Sequence, residues 1–265
     1  SFFPTNGPYS SSDALVLAAQ MTQISAAGVR QVVISWWGPS SVEAARLPAV
    51  VAAARANGLD VGVHIEPYGG RTAESVGGDI ASLRALGIGD FYVYGSADVS
   101  DVAWSAVNRG LSGVRTFANT PYAAKARAGG FTGLYTYDVL LYDGTSFRRM
   151  CEAARRLKVL CAPSVGPGYD ARRATPDTRV KPRRDGATYD AMWRAAIRAK
   201  ADIVTITSYN EWHEGTQIEP AKPRPGYESY EGAYGLSGTA AEGAYLDRTG
   251  YWAARAGSGT APKRR

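Results

Sequence analysis

QVVISWWGPSSVEAARLPAVVAAARANGLDVGVHI, residues Gln31–Ile65, reads as a strand, a helix and a second strand. The runs at either end, Gln31–Trp36 (QVVISW) and Asp60–Ile65 (DVGVHI), are short and rich in Val and Ile. That composition suits strands covered on both faces. The Ala-rich stretch between them stops at Asn57-Gly58, where glycine adopts the left-handed conformation that closes a helix. Strand, helix and strand at this spacing form a crossover unit, which places the two strands parallel in one sheet.

The same alternation extends in both directions. Further short β-rich runs occur at Asp90–Tyr94 (DFYVY), Gly113–Ala118 (GVRTFA), Gly133–Tyr137 (GLYTY), Lys158–Ala162 (KVLCA) and Ile203–Thr207 (IVTIT). Helical patterns fill the gaps. The first spans Asp13 to Ala27, with Ser12 as expected N-cap, Gly28 as stop, and Leu15, Ala18, Met21 and Ile24 on one apolar face. Another carries Val76, Ile80, Leu83 and Leu86 and stops at Gly87. Others are expected near Asp101–Asn108, Pro121–Ala128, Ser146–Leu157, Thr188–Lys200 and Ala240–Ala254.

This pattern predicts an α/β fold of the (β/α)8, TIM-barrel type, whose usual length is about 250 residues. One strand is missing from the expected set. The chain opens with SFFPTNGPYSSSD and runs directly into a helix, and Ser1–Phe3 is too short for a barrel strand. The first strand is therefore expected to be absent or a stub, leaving two unpaired edges. An open doubly wound sheet is the alternative, but no Gly-rich phosphate fingerprint follows the early strands.

The 265 residues are 45% hydrophobic and 20% charged, which excludes global disorder. No run of about 18 apolar residues is present, so no membrane span is expected. The composition suits a secreted and a cytoplasmic protein equally. A single catalytic domain is expected over residues 1–256, and the GSGTAPKRR segment from Gly257 has the composition of a flexible tail. The net charge of +6 is spread over the chain. Its one dense stretch, Arg172 to Arg184, contains Pro176 and Pro182 and reads as a long solvated loop, not a nucleic-acid surface. A monomer is expected, or a dimer if the open barrel edge is covered. Two histidines cannot build a multi-histidine metal site, and Cys151 and Cys161 are expected as buried apolar residues.

In a barrel the chemistry lies just beyond the C-terminal ends of the strands. Those positions hold Trp36-Trp37-Gly38, His64 with Glu66-Pro67-Tyr68, Tyr92 and Tyr94, Asn119, Tyr135 with Tyr137 and Asp138, Tyr169-Asp170, and the segment from Ser208 to Pro220. Rings beside carboxylates suit sugars, which have apolar CH faces and polar rims. Any one of these aromatics could be ordinary core; their collection at successive strand ends argues otherwise. Glu211 and Glu214 are the sharpest pair, because a carboxyl near a second carboxylate retains its proton towards neutral pH. Paired carboxylates of this kind cut glycosidic bonds, although either could instead cap a helix or pair with an arginine. His213-Glu214 is not a zincin motif, since Gln217 stands where the second histidine is needed. His64-Ile65-Glu66 is not a zinc deaminase motif, since the chain has no Cys-x-x-Cys.

SYNEWHEGTQIEPA (Ser208–Ala221) resembles glycoside hydrolase family 99, the endo-α-mannosidases and endo-α-mannanases. SWWG (Ser35–Gly38), HIEPY (His64–Tyr68), YVY (Tyr92–Tyr94), GPGYD (Gly166–Asp170) and RRDGATYDAMW (Arg183–Trp193) follow the family's order. The resemblance runs from about residue 9 to about residue 220. It implies a (β/α)8 barrel that cleaves internal α-mannosidic bonds with retention, with an α-mannose oligosaccharide or polysaccharide as partner and no cofactor or metal. It also implies that Glu211 takes a proton from the sugar 2-hydroxyl, giving a 1,2-anhydro sugar, while Glu214 protonates the leaving oxygen and then activates water. By motif position Trp37, Glu66 and Tyr68 resemble wall residues, and Asn210, Tyr169 and Asp170 lie near the reacting sugar. His64, Tyr94, Tyr137, Trp212 and His213 complete the substrate-binding candidates. Family members begin with a strand reading roughly Tyr-Pro-Trp-Tyr, whereas SFFPTNGPY resembles the loop after it. Another α-glycan, a role in polysaccharide assembly, or a non-catalytic glycan-binding module are the alternative functions.

Overall fold

The computed structural model describes residues 1–257. Six strands, β1 (Gln31–Trp36), β2 (Asp60–Ile65), β3 (Asp90–Val93), β4 (Arg115–Asn119), β5 (Gly133–Tyr135) and β6 (Leu160–Ala162), form one sheet in sequence order. Every neighbouring pair in it is parallel. Pro163 then interrupts the chain, since proline has no N–H to offer a ladder. The path resumes as β7 (Ser164–Val165), which pairs with β10 (Thr205–Ile206) in parallel. Hydrogen bonds from Asp202 and Ile203 N–H to the Cys161 carbonyl, and from Thr205 N–H to the Pro163 carbonyl, carry the sheet across the break. The seven expected strand regions are thus all present in one parallel array, an unclosed TIM-type barrel.

Among the described residues the first barrel strand is not formed. Phe2 bridges Glu228 and Pro4 bridges Ala221, so the opening segment pairs with a late loop and does not enter the gap between β10 and β1. Among the described residues no strand pairs with the outer edge of β1, and Val33 remains 39% exposed.

The helices α1 (Ala14–Ala26), α2 (Val42–Ala56), α3 (Ala73–Arg84), α4 (Asp101–Gly110), α5 (Ala123–Ala128), α6 (Phe147–Arg156) and α7 (Ala187–Arg198) alternate with the strands. None among the described residues is long and apolar enough to cross a membrane. The cap of α1 is Asp13, not Ser12: its Oδ1 accepts from the N–H groups of Leu15 and Val16 at 2.8 and 3.4 Å. The buried face is also rotated from the expected one. Leu17, Gln20, Met21 and Ile24 face inward, whereas Leu15 is 82% exposed and Ala18 lies outside. An Ala- and Leu-rich helix offers two nearly equivalent apolar stripes, and only packing selects between them.

Two further expectations are corrected. The long loop from Arg172 to Arg184 is partly a ribbon, in which β9 (Val180–Lys181) pairs antiparallel with β8 (Tyr169–Asp170). The last helix is two, α8 (Thr239–Glu242) and α9 (Ala244–Gly257), parted at Gly243. α9 is described as far as Gly257, and the rest of the tail expected from Gly257 lies outside the described residues.

Residues alternate strictly between the helix-facing and barrel-facing sides of each strand. Register places His64, Tyr92 and Phe117 at one level of the interior, with Gly133 beside Phe117. A Cβ at Gly133 would lie 2.6 Å from the Phe117 ring, so only glycine fits there. Tyr92 stacks on Phe117 with centroids 4.7 Å apart and meets Tyr135 edge-on at 5.2 Å. Below them Asp90 accepts two bonds from Arg115 and one from Gln31, closing the barrel floor.

The two cysteines are fully buried, as expected, but they are not separate. Cys151 on α6 and Cys161 on β6 form a disulfide with Cα atoms 5.2 Å apart. A cross-link of this short loop contributes about 2–3 kcal/mol by restricting the unfolded chain. Reduction should lower the unfolding free energy by that amount in urea titrations. A chain carrying both Cys151→Ala and Cys161→Ala should respond to reductant not at all.

Candidate active site

The segment after β10 forms a tight, multiply tied turn. Ser208 exchanges backbone bonds with Thr216 and Ile218, and its Oγ accepts from the Glu211 N–H at 2.9 Å. The Trp212 N–H reaches the Asn210 carbonyl, and the Glu214 N–H reaches the Glu211 carbonyl at 3.2 Å. Both glutamates therefore project from one turn at the mouth of the barrel, and both are only partly accessible.

Their electrostatics differ. The Glu214 carboxyl is pushed up from 4.5 to about 7, first by burial and then by the neighbouring charge of Glu211. Tyr137, from the end of β5, donates to Glu214 Oε2 at 3.2 Å and partly offsets the rise. Glu211 is also raised, first by burial and then by the charge of Glu66, while His213 and His64 favour its ionised form.

The floor of the mouth is one hydrogen-bonded chain. Ser35 on β1 donates to Glu66 Oε1 at 3.0 Å, the same oxygen lies 2.6 Å from His64 Nδ1, and His64 Nε2 lies 2.9 Å from the Tyr135 hydroxyl. The rings of Tyr94, Tyr135 and Tyr137 surround the imidazole with centroids 5.2–5.6 Å away. Burial raises the phenols of Tyr94, Tyr135 and Tyr137, so all three stay neutral donors. Seven of the candidates (His64, Glu66, Tyr94, Tyr137, Glu211, His213 and Glu214) thus form one connected set through bonds, ring contacts or mutual charge.

The other candidates are placed differently. Trp37 stands at the rim, 48% exposed. The Tyr68 hydroxyl is turned away from the mouth, donating to Asp79 at 2.5 Å and paired with Ser75 at 2.9 Å, while its ring lies against Gly38. Tyr169 donates to Asp177 at 2.9 Å. The Asp170 carboxylate is held bidentately by Arg172, which lowers its pKa, and it is the Asp170 N–H that meets the site, donating to the Glu214 carbonyl at 2.8 Å. Asn210 and Trp212 both donate to the Tyr9 hydroxyl at 3.2 Å.

Glu219, which holds this turn, and Asp138, whose charge acts on it, were not among the candidates the sequence singled out. Glu219 is buried and accepts from Tyr9 at 2.6 Å, Gln20 at 2.9 Å and Trp212 at 2.9 Å. Burial raises its pKa, and the three donors oppose the rise. Asp138 uses Oδ1 to accept the N–H groups of Leu140 and Leu141, and its charge acts on both Tyr94 and Glu214. No spacing links Glu219 to Tyr9 or Gln20, about two hundred positions away; only the strand-end rule pointed to Asp138. Among the described residues no group of three His, Cys, Asp or Glu side chains is placed to hold a metal ion.

A parallel α/β barrel with two coupled carboxylates on a turn beyond a strand end defines a class of protein, and comparison narrows it to one family. The sequence model of glycosyl hydrolase family 99 matches residues 1–257, and the chain belongs to that family. It is 33% identical over 276 residues to a glycoprotein endo-alpha-1,2-mannosidase-like protein of Danio rerio, covering 84% of this chain and 60% of that one. A human protein of the same description is 32% identical, covering 84% of this chain and 58% of that one. The chain thus spans about 60% of the length of the curated relatives it matches. The GH99 endo-alpha-mannosidase from Bacteroides thetaiotaomicron superposes with a TM-score of 0.86 at 28% identity, covering 98% of this chain and 84% of that structure.

The raised Glu214 carboxyl carries a stability consequence. Because its folded value of about 7 lies above the ordinary 4.5, its contribution is full below about 4.5 and is lost as pH rises through about 7. Glu214→Gln, which mimics the protonated form, should leave the thermal midpoint nearly unchanged at acid pH. Above pH 7 it should raise the midpoint, as a melting series across that range would show.

Proposed function

We propose that the chain, over residues 1–256, is a retaining endo-acting α-mannoside hydrolase that cleaves internal α-mannosidic bonds of an oligosaccharide or polysaccharide. The observation that carries this reading is the coupled pair Glu211 and Glu214, in which burial and mutual charge hold the Glu214 carboxyl at about 7. A carboxyl with that value retains a proton near neutrality, as a general acid must. Family membership and the curated relatives' descriptions as endo-alpha-1,2-mannosidases and endo-alpha-1,2-mannosidase-like proteins supply the substrate class.

The chemistry proceeds in two balanced steps. Glu211 removes the proton of the sugar 2-hydroxyl, the freed O2 attacks C1, and the bond from C1 to the leaving oxygen breaks as Glu214 delivers its proton to that oxygen. In the second step Glu214 takes a proton from water, the water oxygen attacks C1, the C1–O2 bond breaks, and O2 recovers its proton from Glu211. Two inversions at C1 give net retention. Mannose suits this route because its axial 2-hydroxyl lies opposite an α-linked leaving group. The Ser35–Glu66–His64–Tyr135 chain fixes the floor on which the sugar rests. The half-exposed Trp37 offers a ring face at the rim, suited to a sugar's CH surface.

Hydrolysis of α-mannan with release of internal fragments is the expected activity, with α-glucan left intact. Glu214→Gln and Glu211→Gln should each lower kcat on an unactivated α-mannoside by about 10²–10⁴-fold while binding persists. Oligomannose affinity with no product over days would instead support a binding module, and cleavage of α-glucan alone would move the substrate class. In the wild type kcat/KM should fall as pH rises through about 7, where Glu214 loses its proton.

A further inference from the structure

Arg183 opens the RRDGATYDAMW motif, yet neither the fold nor the proposed chemistry uses it. Its guanidinium lies among three aromatic rings, with Cζ 4.5 Å from the Phe2 centroid, 4.9 Å from Tyr230 and 4.5 Å from Tyr245. Nε and Nη1 are buried without a hydrogen-bond acceptor, and among the described residues no carboxylate forms an ion pair with the group. Taking a cation out of water without a counter-ion is costly, and ring faces recover only part of that cost. The hydrogen bonds Arg183 does make are therefore informative. Nη2 donates to the carbonyl of Gly215 at 3.0 Å and to that of Gln217 at 2.7 Å.

Those carbonyls lie immediately beyond Glu214. The Glu214 carbonyl is itself held by the Asp170 N–H at 2.8 Å. Gly215 adopts φ +65° and passes so close to the Asp170 backbone that a Cβ would sit 3.0 Å from it. The backbone from Glu214 to Gln217 is thus fixed from the Asp170 side and the Arg183 side together. Resting on the function proposed above, we infer that Arg183 is a positioning residue: its ring-caged guanidinium locks the backbone beyond Glu214 so that this carboxyl stays aimed at the glycosidic oxygen.

A misdirected acid matters only when the leaving group needs a proton. The test compares kcat/KM, which reports the first bond cleavage, on an α-mannobioside with a sugar leaving group and on the corresponding α-mannobiosyl fluoride. Arg183→Lys and Arg183→Met should lose about 10²-fold on the first, the scale of a displacement of about 1 Å, and less than about threefold on the fluoride. Equal losses on both substrates, or no loss on either, would overturn the inference. If the Arg183 variants do not fold, Phe2→Leu opens one wall of the cage and should give the same split with a smaller loss; an equal loss on both substrates, or none, counts against the inference there too. A wild-type chain that cleaves neither substrate would instead remove the functional reading itself.

Discussion

Two carboxylates on a single turn, withdrawn from water, repel each other, and the surrounding structure is arranged to contain that repulsion. Within the turn Ser208 binds the Glu211 N–H and pairs through its hydroxyl with Thr216 at 2.9 Å. On one flank Glu219 gathers Trp212, Tyr9 and Gln20, so the opening loop and α1 are tied to the turn. On the other flank Asp170 and Arg183 hold the backbone beyond Glu214. Tyr230 adds bonds to the carbonyls of Gln217 and Glu219, each 3.1 Å. Remote segments thus converge on twelve consecutive residues, Ser208 to Glu219, that belong to no helix or strand themselves.

The mouth also makes the two carboxyls unequal. Glu211 faces the charge of Glu66 but has His213 and His64 near enough to favour its charged form, whereas Glu214 faces the charges of Glu211, Asp138 and Glu66, with the Tyr137 hydroxyl opposing them. Environments that separate two neighbouring carboxyls are how one site supports both an acid and a base. Tyr92, Phe117 and Tyr135 fill the barrel beneath the site.

The alternation of strands and helices was legible in the sequence because strands covered on both faces need continuous β-rich runs. The turn that closes α6 takes in Lys158 and Val159, so β6 starts only at Leu160, and the gap beside β10 left only Thr205–Ile206 in regular pairing; those runs therefore read longer than the strands they form. The disulfide was not legible: ten positions of spacing between a helix and a strand do not fix how two Cβ atoms meet. The glutamates stood out because they share one short segment. Glu219 stands on that segment too, but its partners Tyr9 and Gln20 are remote, and nothing local separates a buried acceptor from a solvated one. Tyr68 and Asp170 show the converse. Motif position brought them to the site, while Asp79 and Arg172 decide where their polar atoms point.

The open side of the barrel bears unevenly on this site. The bonds that hold the turn bearing Glu211 and Glu214 run to α1, the opening loop, Asp170, Arg183 and Tyr230, none of which needs a strand between β10 and β1. Ser35 and Trp37 belong instead to β1 and its end, and β1 is supported laterally by β2 alone among the described strands. Ser35 reaches Glu66 across that single pairing. Whatever covers the outer edge of β1 therefore acts first on the Trp37 wall and on the Ser35–Glu66–His64 floor, and only through them on the charge felt by Glu211. The Trp37 wall and the two carboxyls thus rest on different supports in this fold: the first depends on the barrel's edge, the second on the knot of side chains around the turn.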